Sequence, residues 1–192
     1  MTNVTNAIEA GGVRQPATVK VWDPFVRLFH WSLVALFVAA YVTGDESDRL
    51  HIAIGYAIAG LIALRIIWGF VGSSHARFSD FVRGPREVFS YLRDVVFLRA
   101  RRYLGHNPAG GAMIIALLVM LIGTSISGYL LTTDAFWGSK RAEEIHEVLA
   151  NLTVGLIAFH MLGVLAASFK HRENLVKAMI TGRKRIEPTE VL

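Results

Sequence analysis

Four long stretches that are almost free of charge decide what this chain can fold into. Residues 28–42 form a 15-residue apolar run that contains His30 and reaches 20 residues when extended to 25–44. Residues 50–71 are apolar apart from His51 and Arg65. Residues 111–133 hold 23 positions without a charge, and 148–169 hold 22, with His160 among them. A bilayer core about 30 Å thick takes about 20 helical residues. The runs are continuous, not alternating, so helices and not barrel strands are expected. The fold class predicted is all-α: an integral membrane four-helix up-down bundle. Composition agrees, with 53% of the 192 residues hydrophobic, 18% charged and a mean hydropathy of +0.44.

Basic residues set the expected orientation. Residues 1–27, 72–110 and 170–192 carry 16 of the 20 Lys and Arg, whereas the connections 44–50 and 134–147 carry three. Short loops rich in Lys and Arg stay in the cytoplasm. Both termini and the central loop are therefore expected inside the inner membrane. The acidic residues Asp45, Glu46, Asp48, Asp134, Glu143, Glu144 and Glu147 are expected outside. The basic pI of about 9.8 is thus a topology signal, with membrane lipid and not nucleic acid as the implied partner. The first 24 residues lack an apolar core, so no cleavable signal peptide is expected.

Within the central loop, Pro85 can open a helix in which Val88, Leu92, Val95 and Val96 share one face, opposite Arg86, Glu87, Arg93 and Asp94. An amphipathic helix between spans two and three is predicted, lying on the cytoplasmic interface or packed on the bundle. Trp22, Trp31, Trp68 and Trp137 lie near span ends, where interfacial anchoring is expected. The run Arg183-Lys184-Arg185 reads as a solvated or lipid-facing basic tail.

The chain contains no cysteine, which excludes disulfides, thiolate metal sites and covalent c-type haem. Histidine is the remaining soft donor. His75, His106 and His171 fall in polar flanks and need no ligand. His30, His51, His146 and His160 fall in or beside spans, where ionisable groups are costly. His146 and His160 are 14 residues apart, an advance of about 21 Å and a rotation about 40° short of four turns. Both face one side of one helix at two depths, with Thr153 midway. Alternating the spans matches His30 in depth with His160, and His51 with His146. Two opposed imidazoles suit an axially ligated haem b, whereas zinc requires three or four ligands. Glycines at 55, 60, 123, 128, 155 and 163 are compatible with room for a macrocycle and equally with plain helix contacts. Arg65, inside span two, must snorkel or meet an anion, such as a haem propionate or a quinone carbonyl.

An ordered set of short motifs completes the pattern: Arg27-Leu28-Phe29-His30-Trp31, His51-Ile52-Ala53-Ile54-Gly55-Tyr56, Arg65-Ile66-Ile67-Trp68-Gly69-Phe70, Gly105-His106-Asn107-Pro108, and Glu144-Ile145-His146-Glu147 with His160 following. Across roughly residues 18–180 this set resembles the bacterial cytochrome b561 and nickel-hydrogenase-type di-haem cytochrome b family. The resemblance implies two non-covalent haem b groups held by the pairs His30/His160 and His51/His146, with Arg65 a further cofactor-binding residue. It implies residues 21–181 as the haem-binding membrane domain, between a flexible segment 1–20 and a basic tail 182–192. It also implies electron exchange between the quinone pool and a redox partner, such as a periplasmic c-type cytochrome or a hydrogenase. Hydrogenase-associated members commonly have a fifth span, which is not found here. A self-sufficient superoxide:quinone oxidoreductase remains an alternative, so enzymatic activity stays open. From another class, a haem-free histidine-relay transporter or a membrane anchor subunit also remains.

Overall fold

A computed structural model describes residues 18–44 and 48–185. Residues 1–17 of the flexible segment expected over 1–20, the tail beyond 185, and Asp45 and Glu46 lie outside the described residues, whereas Thr18–Lys20 of that segment form β1. Four helices are long and apolar enough to cross a membrane: α1 (Pro24–Thr43), α2 (Asp48–Val71), α5 (Pro108–Leu131) and α6 (Lys140–Lys170). Shorter helices α3 (Phe78–Phe81), α4 (Pro85–Val96) and α7 (Leu175–Thr181) lie between and after them. Strand β1 (Thr18–Lys20) pairs antiparallel with β2 (Arg183–Arg185), Val19 opposite Lys184. Both described ends of the chain thus meet at one end of the bundle, termed the terminal end. The end of α1 at Thr43, the start of α2 at Asp48 and the connection 132–139 mark the far end.

Local chemistry explains where the helices begin. Asn107 caps α5 by accepting from Gly110 N at 2.7 Å, with Pro108 at the first helical position. Ser139 caps α6, whose charged opening, Lys140 to Glu147, precedes the apolar stretch. The 31 residues of α6 span about 46 Å, longer than a bilayer core. The core cluster Ile58, Ile62 and Leu121 joins α1, α2 and α5, with Leu33, Leu36 and Phe37 packed around it. In α6 only Thr153 is buried. Close backbone packing joins α5 to α6, α1 to α2 and α2 to α5. The α1–α6 and α2–α6 faces lack that density and meet through side chains, among them Tyr41, whose hydroxyl donates to Asn151 Oδ1 at 2.9 Å.

Asp23 ties the start of α1 to the end of α2. Its Oδ1 accepts from Val26 N at 2.8 Å, and its Oδ2 accepts from Trp68 Nε1 at 3.2 Å and from the Ser73 hydroxyl. Burial acts to raise the carboxyl, but the bonds from Ser73, Val26 and Trp68 outweigh it and hold the pKa below the ordinary 3.8. A carboxylate depressed on folding stabilises above its unfolded pKa, and that stabilisation is lost as pH falls through the folded value. Asp23→Ala removes a helix cap and a bond to the indole, and is expected to cost about 2 kcal/mol at neutral pH. Unfolding in detergent at neutral pH and below pH 3.8 checks this; the difference from the parent should shrink in acid.

The terminal end departs from expectation in three places. The Arg183-Lys184-Arg185 run is a strand, not a solvated tail. Lys184 is buried, donates to Tyr103 O at 3.0 Å and pairs with Glu173 at 3.6 Å. Arg102 reaches the same carboxylate at 3.3 Å, so the charges are answered locally and not by lipid. Trp22, expected at the interface, is buried against His106, with ring centres 4.5 Å apart. Arg65 does not snorkel: it is 4% exposed and donates from Nη2 to Ala76 O at 3.0 Å. The predicted helix over 85–96 is present as α4. Its Tyr91 is buried and its Phe89, Leu92 and Val96 are exposed.

Candidate cofactor site

The structure brings His51 (α2) beside His146 (α6) and sets His30 (α1) within electrostatic reach of His160 (α6). The His51 and His146 ring centres are 6.0 Å apart, with planes at 89°. The interval on α6 is the cause: Thr153, fully buried on the same stripe, has its hydroxyl 3.5 Å from that of Thr124 on α5, which turns the stripe inward.

Hydrogen bonding determines which ring nitrogens of the far-end pair are available. His51 Nδ1 lies 2.9 Å from Ala40 O, and a carbonyl can only accept, so Nδ1 carries the proton. His146 Nδ1 lies 2.9 Å from Ser127 Oγ. That hydroxyl spends its one proton on Thr124 O at 2.9 Å, so it accepts from His146. Both imidazoles are thereby held as Nδ1–H tautomers with the Nε2 lone pair free, the arrangement a metal-binding histidine takes. Gly128 makes room for this: a Cβ there would lie 3.0 Å from His146 Cε1.

The donor chemistry fits a haem iron. A metal about 2 Å from each ring nitrogen puts two axial imidazole centres about 6 Å apart. Among the described residues no three or more His, Cys, Asp or Glu side chains converge, so the nitrogen donors come in twos. The α6 face towards α1 and α2 is less closely packed than the α5–α6 and α1–α2 faces, and Gly55, Gly60, Gly155 and Gly163 have nothing within 4 Å of an added Cβ.

The terminal-end pair is less fully dressed by protein. His30 Nδ1 is buried without a partner, and His160 has no hydrogen bond among the described residues. Arg65 stands nearby on α2, its guanidinium over the rings of Phe78 at 5.3 Å and Phe81 at 6.0 Å. The four-residue helix α3 brings those rings beneath the bundle. Gly69 on α2 admits the Phe78 ring, because a Cβ there would meet it at 2.1 Å.

His106, read from sequence as a plain flank residue, belongs to this region. Its ring is clamped between Trp22 and Phe81 (centres 4.9 Å apart for the latter), and its Nδ1 is buried without a partner. Burial first, then the positive charges of Arg65 and Lys184 and the neighbouring His75 and His160, push its pKa down to about 3. The imidazole is therefore neutral at physiological pH. One signal was present in the sequence: His106 immediately precedes the Asn107-Pro108 helix start, a position whose side chain packs back on the helix it introduces.

The profile of prokaryotic cytochrome b561 matches residues 21–182. Among curated proteins, the chain is 25% identical over 226 residues to a probable Ni/Fe-hydrogenase B-type cytochrome subunit of Bradyrhizobium diazoefficiens, covering 93% of this chain and 92% of the relative. It is 29% identical to a protein of the same description from Azotobacter vinelandii, covering 69% and 67%. It is 26% identical to a probable Ni/Fe-hydrogenase 1 B-type cytochrome subunit of Escherichia coli, covering 59% and 60%. No solved structure matches the chain significantly.

Proposed function

Because the chain belongs to the prokaryotic cytochrome b561 family, a family of multi-pass bacterial membrane b-type cytochromes, we propose that it is a di-haem relay of the inner membrane, passing electrons between the quinone pool and a redox partner. The observation that carries this reading is the His51–His146 pair, 6.0 Å between ring centres with both Nδ1 atoms engaged and both Nε2 atoms free. His30 and His160 would hold the second haem, His160 lying about 21 Å from His146 along α6. Both termini lie in the cytoplasm, consistent with the bias of Lys and Arg. The partner is an electron-transfer subunit, hydrogenase being the class that the relatives' names carry and a periplasmic c-type cytochrome the other.

When bound, haem b supplies one-electron redox chemistry at iron. The chain supplies everything else. His51 and His146 hold fixed tautomers through Ala40 and Ser127, which makes the Nε2 atoms better donors. Each histidine pair would hold one haem through two imidazole nitrogens, and the group would then supply outer-sphere electron transfer. Thr153, fully buried against α5, stands midway between His146 and His160 on α6. The charged opening of α6 carries His146 close to the far surface, where an electron partner can dock.

Haem content and a reduced-minus-oxidised spectrum of the purified protein test the proposal: two haems per chain are expected, and one or none overturns the relay. Ser127→Ala removes the group that orients His146 and is expected to weaken far-end haem binding about 10- to 100-fold. Haem titration of the stripped protein reads this out, with the terminal-end site as the internal control.

A further inference from the structure

The terminal-end region holds four buried hydrogen-bonding atoms without a partner among the described residues: Arg27 Nε, His30 Nδ1, Arg65 Nη1 and His106 Nδ1. Arg65 Nη1 and His106 Nδ1 are both sealed from solvent without a partner, whereas Arg65 Nη2 is held by Ala76 O. A buried donor without an acceptor costs about 1–3 kcal/mol, so such groups normally have a partner. The His106 ring packs against Trp22 and Phe81, with ring centres 4.5 and 4.9 Å away, and the guanidinium lies over Phe78 and Phe81. The nearby carboxylates are already engaged: Asp23 with Val26, Trp68 and Ser73, and Glu173 with Arg102 and Lys184. Arg65, His75, His160 and Lys184 are all within electrostatic reach of His106. Asp23 acts on Arg65 electrostatically without bonding its Nη1, so the region has room for one more acceptor, beside the histidine pair that the proposed function assigns to a cofactor bearing two carboxylates.

We propose that His106 and Arg65 together form the seat for the carboxylates of the cofactor held by His30 and His160. This inference rests on the di-haem reading and adds a residue to it: His106 acts as a positioning residue through a hydrogen bond from Nδ1–H, and Arg65 through its free Nη1. The neutral imidazole donates a proton without adding charge, while the guanidinium supplies the charge. A charge-assisted bond of this kind is stronger than a neutral one and sets direction as well as affinity. The seat fixes the rotation of the macrocycle about the axial histidines, which axial ligation alone leaves free.

The test uses full-length His146→Leu protein, which keeps only the terminal-end site, stripped and titrated in detergent with haem and with haem dimethyl ester, whose carboxylates carry no charge. The parent is expected to prefer the free acid by about tenfold or more, the equivalent of one charge-assisted bond. In His106→Phe, which keeps the aromatic clamp, the preference should fall towards parity. His106→Gln, which restores a side-chain N–H, should recover part of it. Equal preference in the parent and His106→Phe overturns the seat, as does loss of preference in His106→Gln identical to that in His106→Phe. A parent that binds neither haem nor ester overturns the reading beneath it, and is distinguished from failure of the seat by that lack of binding.

Discussion

Replacing His146 with leucine is expected to take one haem from each chain and leave the other in place. The far-end pair has no third donor: among the described residues no larger His, Asp or Glu cluster exists from which a substitute ligand could come. The collateral damage is small. Ser127 keeps its bond to Thr124 O at 2.9 Å, and the leucine side chain faces the open side of Gly128. The helix cap at Ser139 and the core between α1, α2 and α5 are untouched. His51→Leu should remove the same haem if, as proposed, both residues hold one iron. His160→Leu and His30→Leu should each remove the other one. Haem:protein ratios and split redox titrations of the four variants check the pairing. If any single replacement left both haems bound, or if His146→Leu and His160→Leu removed the same one, the assignment of pairs would fall.

What the sequence revealed of this molecule follows the range of the interactions concerned. The four spans were legible because each helix closes its own backbone hydrogen bonds, and burial in lipid depends on composition along one segment. The α6 stripe was legible for the same reason: the positions of His146, Thr153 and His160 around one helix follow from counting residues. Depth matching then needed only the alternation of spans. The α4 helix was legible from its proline start and its periodicity.

The terminal end was not legible, because its structure depends on contacts between segments far apart in the chain. Pairing of Val19 with Lys184 joins two three-residue strands too short to carry a period. Lys184 looks like one of three exposed cations until Glu173 and the Tyr103 carbonyl are brought to it. The α3 helix spans four residues and has no side-chain cap, so nothing local announces it. Yet it decides the surroundings of Arg65, by placing Phe78 and Phe81 beneath it. Local sequence limited Arg65 to an anion or the interface; the fold instead gives it a carbonyl and two rings, and leaves one nitrogen over. His106 was passed over because a histidine beside a polar loop needs no explanation. Only the Trp22 and Phe81 rings on either side make its buried Nδ1 conspicuous.

Inserting one alanine after Gly155 is expected to lower the haem content from two to one while leaving the bundle inserted in the membrane. One extra residue rotates everything beyond it by about 100° and lifts it by about 1.5 Å. The rise alone is within the reach of a side chain, but the rotation is not. His146 and His160 then no longer share a face, so whichever end of α6 stays in register keeps its partner and the other turns away. Thr153 shows which end that is: its burial against α5 and its 3.5 Å approach to Thr124 tie the stretch before the insertion to α5. His160 should therefore be the residue that turns outward, and the surviving haem should be the far-end one, with His51. An alanine inserted after Arg141 is the matched control. It lengthens only the charged opening of α6, preserves the interval of 14, and should leave both haems bound. Haem content, together with the redox potential of whichever haem remains, reads out both insertions. Retention of two haems after the Gly155 insertion would show that the two sites do not depend on a common stripe of α6, and the relay would lose its geometric basis.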